Sequence, residues 1–191
     1  MTTITIFGNG NMGQAIGGVL ARGGASIQYV GSADTAARID GDIVVLAVPY
    51  PALKQIVAEY AEQLEGRTVV DITNPLDFTT FDALVVRADG SAAAELQTAL
   101  PTAHVLKAFN TNFAATLVAG AVGGQKTTVL VAGDDDAAKE ALVAAIKAGG
   151  LDAVDAGALA RARELEALGF LQLTLAASEK IGWNAGFALA R

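Results

Sequence analysis

The chain contains no cysteine, a single histidine, one tryptophan and only four prolines in 191 residues. Without cysteine there are no disulfides, thiol nucleophiles or thiolate metal sites. Basic side chains are scarce: 13 Lys and Arg face 20 Asp and Glu, a net charge of −7. That balance argues against nucleic acid or an anionic membrane as the main partner. Long apolar runs are also missing. Ile43–Pro49 is among the longest, far below the ~20 residues that span a bilayer, and no charged-then-apolar leader precedes the first strand. The expectation is a soluble, cytoplasmic protein. The triplet Asp134-Asp135-Asp136 reads as helix capping, so no metal site is expected. His104 stands between Pro101 and a strand with no partner carboxylate in view and reads as structural.

What the chain does have is apolar bulk, with 52% hydrophobic and 17% charged residues, enough for one well-filled domain. Short β-rich runs at Ile4–Phe7, Ser26–Val30, Ile43–Val48, Thr68–Ile72, Val105–Phe109, Thr128–Ala132 and Ala153–Ala156 alternate with helical patterns. The helices are expected at 12–22, 51–63, 91–99, 113–119, 136–148 and 158–181. Runs such as Ile43-Val44-Val45-Leu46 are apolar on both faces, as in a sheet covered on both sides. The alternation predicts an α/β fold with a doubly wound, mostly parallel sheet and a C-terminal helical extension. Residues 1–157 form the expected dinucleotide-binding unit. Residues 158–191 form a helix and tail packed on it or on a dimer partner, because Leu168–Leu173 is too apolar to stay exposed. The Ser32–Gly41 link is too short for a crossover helix, and Asn74–Gly90 reads as a long loop.

The most informative segment is Gly8-Asn9-Gly10-Asn11-Met12-Gly13, directly after the first strand. In this G-x-G-x-x-G turn, Gly8 permits the tight bend and Gly10 lets a pyrophosphate approach the backbone. Gly13 lets the following helix sit close to the sheet. Free N–H groups at that helix start face the phosphates.

Ligands of an open parallel sheet bind outside the carboxyl ends of its strands. Those ends read Gly31-Ser32-Ala33-Asp34, Val48-Pro49-Tyr50-Pro51, Thr73-Asn74-Pro75-Leu76 and Asn110-Thr111-Asn112-Phe113. Amides, hydroxyls, prolines and aromatics gather there. The expected cofactor-binding set is Gly8, Asn9, Gly10, Asn11, Met12, Ser32, Val48, Pro49, Tyr50, Thr73, Asn74, Pro75, Asn110, Thr111 and Ala114. No catalytic acid or base stands out. Hydride transfer between stacked rings needs proximity and orientation, which such a pocket supplies. A ribose-binding acid normally sits about 20 residues past the glycines. The second strand ends on Gly31-Ser32, leaving room for a 2′-phosphate to which Ser32 can donate. Asp34 would repel that phosphate if it turned inward, and Arg38 is the nearest cation.

Ordered motifs then extend along the chain: FGNGNMGQAIG at 7–17, YVGS at 29–32, IVVLAVPY at 43–50, VVDITNPLDF at 69–78, GSAAAELQTALP at 90–101, VLKAFNTNFA at 105–114, VAGDDDAAK at 131–139, DAGALARARELEALGF at 155–170 and IGWNAGF at 181–187. Together they resemble the NADP oxidoreductases that use the deazaflavin coenzyme F420. The resemblance implies a Rossmann-type fold and an enzyme passing hydride between NADP(H) and a flavin-like or deazaflavin acceptor. It also implies Ser32 at the adenosine phosphate, and nicotinamide near Val48, Pro49, Thr73 and Asn74. The Asn110–Ala114 loop lies beside the acceptor and the Gly182–Phe187 tail closes its pocket. The chain departs from the family at Ala33, where a basic residue is usual, so NAD stays open behind NADP. A flavin or a quinone is an equally open acceptor.

Two other functions stay in view. One is a dinucleotide sensor without turnover. The other is a β-hydroxyacid dehydrogenase-like enzyme using Lys180, since Lys180 and Asn184 have the i, i+4 spacing of one helix face. Against it, Ala176 stands where a glycine is expected, and a second helical domain of roughly 100 residues is missing. Gly120–Thr127 resembles a phosphate-cradling loop, but Gln125 replaces a required glycine and a strand follows, so it reads as a plain loop.

Overall fold

A computed structural model describes residues 2–34 and 36–190. Five parallel strands form the first part of the sheet: β1 (Thr3–Phe7), β2 (Ser26–Val30), β3 (Ile43–Leu46), β4 (Thr68–Asp71) and β5 (His104–Lys107). A short hairpin of β6 (Ala121–Val122) and β7 (Gln125–Lys126) precedes β8 (Thr128–Gly133) and β9 (Asp152–Gly157). The sheet order is β2-β1-β3-β4-β5-β8-β9. Strand direction changes once: β8 is antiparallel to β5, and β9 is parallel to β8. The expected α/β, mostly parallel sheet is present, with its last two strands reversed.

Alternation along the strands sorts side chains into two cores. Ile4, Ile6, Ile43, Val45 and Leu106 face α1 (Asn11–Arg22), α4 (Ala114–Ala119) and α5 (Asp136–Ala148). Phe7, Val44, Leu46, Val69 and Val105 face α2 (Leu53–Leu64) and α3 (Ala92–Ala99). All four residues of β3 are 5% exposed or less, as a strand covered on both faces demands. The chain closes with a 3-10 turn at Leu159–Arg161 and α6 (Ala162–Ala177). This helix stops short of the expected residue 181; Glu179 takes a positive φ of 58°.

The reversal of β8 puts its carboxyl end beside the amino end of β5, with Gly133 opposite Leu106. Asp134–Asp136 therefore lies at the opposite edge from the glycine turn. Asp135 caps α5 by accepting from Ala138 N at 2.7 Å, as expected. His104, expected to lack a partner, instead has Nδ1 3.2 Å from the Asp135 carboxylate.

The described part of the Ser32–Gly41 link contains no helix. Side chains tie it down instead. Gln28 donates to Arg38 O (2.7 Å) and accepts from Asp40 N (3.1 Å). Gln63 accepts from Ile39 N (2.9 Å) and donates to Ala37 O (3.1 Å). Arg67 donates to Gln63 O, Gly41 O and Ile39 O. Ile39, 2% exposed, fills the second core. The Arg67 guanidinium bridges this link to the end of α2, so Arg67→Ala should lower stability by about 1–3 kcal/mol. Denaturant unfolding measures the loss, and amide exchange should accelerate selectively at residues 38–41.

Candidate functional site

The carboxyl edge of β1–β5 is organised by the glycine turn. Gly8 has φ +93°, and a Cβ there would lie 2.3 Å from Ala47 O. A Cβ at Gly13 would lie 2.2 Å from Gly8 O. Bend and packing therefore require both glycines. Gly10 is different: a Cβ there meets nothing within 4 Å. No internal contact asks for glycine at position 10, whereas a ligand lying against the backbone does. Gly10 is also the N-cap of α1, and no side chain caps that end. Its first N–H groups, with the positive end of a twelve-residue helix dipole behind them, are left for an anion.

Clefts flank the turn on either side. One, of about 360 Å³, is lined by residues including Gly8, Asn9, Gly10, Ser32, Val48 and Pro49, with Asp34 and Glu59 as its acids. The other, of about 410 Å³, lies between Asn11 and Met12 on one side and Asn74, Asn110, Asn112, Phe113 and Ala114 on the other. Trp183 reaches it from the tail and packs on Phe113, ring centroids 5.1 Å apart.

The floor of the second cleft is an amide pair. Asn74 Nδ2 donates to Asn110 O at 2.8 Å, and Asn110 Nδ2 donates to Asn74 Oδ1 at 2.8 Å and to Leu165 O at 2.8 Å. Gly169 of α6 makes room for this pair, since a Cβ there would come within 2.3 Å of Asn74 Oδ1. Phe109, immediately before Asn110, is fully buried with φ +62°, a conformation that costs a non-glycine residue about 1–2 kcal/mol and often marks a functional site. Three buried polar atoms, Thr73 Oγ1, Asn110 Oδ1 and Asn112 Oδ1, find no hydrogen-bond partner among the described residues. Each such atom costs about 1–3 kcal/mol.

Behind the floor lies a buried ion cluster. Lys107 Nζ is 2.8 Å from Asp71 Oδ2 and 2.7 Å from Glu166 Oε1, and donates to Thr73 O. Asp71 Oδ1 accepts from Thr73 N, and Glu166 accepts from Ala92 N and Ala93 N at the start of α3. Burial pushes the Glu166 carboxyl up, against the pull of Lys107. Asp71 and Lys107 escape sequence reading because each is embedded in an apolar run, VVDIT or VLKAF, and Glu166 because it follows the charged stretch Arg161–Glu164 and reads as part of the same solvated face. A lone charge inside such a run is the available signal that it must be paired.

The expected site residues divide between these places. Gly8, Asn9, Gly10, Ser32, Val48 and Pro49 line the first cleft. Asn11, Met12, Asn74, Asn110 and Ala114 line the second. Thr73, Pro75 and Thr111 are buried beneath them. Tyr50 turns to a separate groove of about 480 Å³ between α2 and α3. There its hydroxyl donates to Glu95 Oε2 at 2.5 Å. Lys180 and Asn184 lie beyond the end of α6 and share no helix face, which removes the spacing behind the β-hydroxyacid dehydrogenase reading. Asn112 and Phe113 of the expected Asn110–Ala114 loop also line the second cleft; sequence reading missed Ile72, Phe109, Ala115 and Leu173 there, and Gln55 and Glu59 in the first.

Comparison with known proteins follows the same lines. The family described as NADP oxidoreductase, coenzyme F420-dependent, matches over residues 25–75. An F420-dependent NADP reductase of Methanothermobacter marburgensis is 30% identical over 170 residues, covering 85% of this chain and 75% of the relative. One from Methanocaldococcus jannaschii is 29% identical over 154 residues, covering 78% and 69%. The crystal structure of a candidate F420-dependent NADP reductase from Arthrobacter sp. FB24 superposes with a TM-score of 0.85 at 27% identity, each chain covered completely.

Two outcomes follow from the charged groups. Lys107→Met leaves two buried carboxylates facing each other and should cost about 3–5 kcal/mol in denaturant unfolding. Burial and the Glu95 carboxylate raise the Tyr50 hydroxyl to about 12. A phenol raised in the folded state adds stability that is complete below its ordinary value of 10.0 and disappears as pH climbs to about 12. Stability should therefore fall across that alkaline window, and Tyr50→Phe should flatten that part of the fall.

Proposed function

This chain belongs to the coenzyme F420-dependent NADP oxidoreductase family, and we propose that it transfers hydride between NADP(H) and a deazaflavin or flavin-like acceptor. The observation that carries the reading is Gly10: glycine stands where the protein itself needs none, over a helix start with no cap of its own.

NADP(H) supplies the hydride chemistry; the chain supplies binding and orientation. The Gly8–Gly13 turn holds the pyrophosphate against the α1 N-terminus. Ser32 lies on the adenosine side, and Val48 and Pro49 form the wall leading to the nicotinamide. The Asn74–Asn110 pair, with Asn112 beside it, lines the second cleft with amides that suit a polar ring edge, next to the Asn110–Ala114 loop. Phe113 and Trp183 give the acceptor an aromatic wall. Among the described residues no acid or base lines this second cleft, in keeping with a reaction that runs on ring alignment.

The same reading treats residues 1–157 as the dinucleotide-binding unit, with 158–191 folded onto it through Leu165, Glu166 and Gly169. It further places the protein in the cytoplasm as a homodimer. Among the described residues no helix is long and apolar enough to cross a membrane. Val118, Leu171 and Phe187 expose apolar surface of the kind a partner covers.

Gly10→Val tests the cradle. A Cβ at position 10 meets no protein atom within 4 Å, so unfolding stability should change by no more than about 1 kcal/mol, the scale of a poorer helix cap. NADPH affinity, read by nicotinamide fluorescence, should fall at least ~10-fold, or about 1.4 kcal/mol. The parent protein should oxidise NADPH with F420 or FMN as acceptor. Tight NADPH binding in the variant, or no oxidation with any deazaflavin, flavin or quinone, would sink the proposal.

A further inference from the structure

The first cleft has an unusual charge for a site meant to hold a 2′-phosphate. After β2 the backbone turns at Gly31–Asp34, with Asp34 N donating to Gly31 O at 3.1 Å. The Asp34 side chain folds back, and its Oδ2 accepts from Gly31 N at 2.8 Å. That brings the carboxylate to the strand end, where it lines the same cleft as Ser32. The position is braced from α2: the Tyr60 hydroxyl donates to Asp34 O at 3.1 Å, and the Tyr60 ring packs edge-on against Phe7, centroids 4.9 Å apart.

The second charged residue lining this cleft is Glu59, and among the described residues neither Lys nor Arg lines it. Arg38 points to solvent, 90% exposed, and pairs with Asp40 at 3.3 Å. Arg67 is tied to the carbonyls of Ile39, Gly41 and Gln63. Among the described residues the cleft thus presents two carboxylates and no cation.

A carboxylate at the end of the second strand is suited to accept from the hydroxyls of a ribose diol. Toward a 2′-phosphate it is a like charge, and like charges at hydrogen-bonding range repel. The Gly31 N–H, a donor that a phosphate would use, is already taken by Asp34. We propose that Asp34 sets the coenzyme specificity of this chain, accepting from the ribose diol of NAD(H) and weakening the grip on the 2′-phosphate, so that NAD(H) is used alongside NADP(H).

This rests on the dinucleotide reading, and the experiment separates the two. Dissociation constants for NADPH and NADH are measured by nicotinamide fluorescence for the parent protein and for Asp34→Asn. The asparagine Oδ1 keeps the bond to Gly31 N while the charge is removed. The parent should bind the two nucleotides within ~10-fold of each other. Asp34→Asn should shift the affinity ratio at least ~5-fold toward NADPH. Ionic strength gives an independent sign: the pyrophosphate is common to both ligands, so the ratio isolates the 2′ position. Screening of a repulsion shifts that ratio toward NADPH as salt rises, whereas screening of a cation–phosphate attraction shifts it toward NADH. An unchanged ratio in Asp34→Asn, or a salt dependence of the attractive sign, overturns the role of Asp34 and leaves the dinucleotide site standing. Failure of the parent protein to bind either nucleotide overturns both.

Discussion

A single buried ammonium holds the site edge together. Lys107 ends β5 in full burial and has Asp71 of β4, Glu166 of α6 and the Thr73 carbonyl around it. Taking three charges out of water is costly, and the cluster survives only because every member is paired and further hydrogen-bonded. The backbone N–H groups of Ala92 and Ala93 take up the Glu166 oxygens, so the start of α3 joins the same knot. Strand, strand, loop and two helices therefore meet at one nitrogen. The amide floor depends on this arrangement. One residue before Glu166, the Leu165 carbonyl receives Asn110, and one turn onward Gly169 clears space for Asn74. A slip of α6 along its axis would strand Lys107 and drive a backbone into Asn74 together.

This explains why an ion cluster that adds little net stability can matter for positioning. An apolar replacement of the cluster could pack equally well, yet it would fix neither the rotation nor the height of α6 over the sheet. Directional bonds fix both. The strained Phe109 backbone fits the same picture, because a positive φ in a fully buried residue persists only where its surroundings over-determine it. Phe109 is locked in the first core and aims Asn110 across the strand end at its partners in the loop after β4 and on α6.

Much of this fold was legible in the residues, for identifiable reasons. Strands β1 to β5 show as apolar runs closed by Gly, Pro, Asn or Thr, and burial on both faces writes that pattern strongly. Strand direction is not written there: Thr128–Gly133 carries the same signature whichever way it runs, so the reversal of β8 appears only in the pairing with Leu106 and Lys107. The Gly123-Gly124 hairpin has the sequence signature of a plain loop because its strands are two residues long. In the site, Gly10, Asn11 and Met12 were legible because a local motif binds phosphates by backbone. Tyr50 was not, since its neighbours Val48 and Pro49 line the cleft while a 3-10 turn beginning at Tyr50 rotates the ring toward Glu95. The Lys107 cluster was not legible either, because its members sit 36 positions and more apart and no local pattern links them.

The distribution of charge along the binding edge carries a final consequence. The second cleft is lined by amides and apolar groups, and the charged residues lining the first are the acids Asp34 and Glu59. Among the described residues no arginine or lysine lines either one, so the attraction these clefts offer an anion comes from the backbone: the free N–H groups of α1 and the field of its dipole. That attraction is short-ranged and strictly oriented, and it depends on the ligand reaching the backbone. Gly10 is what lets it do so. An acid such as Asp34 can therefore stand at the far end of the cleft, discriminating at the ribose without disturbing the phosphates that are held some distance away.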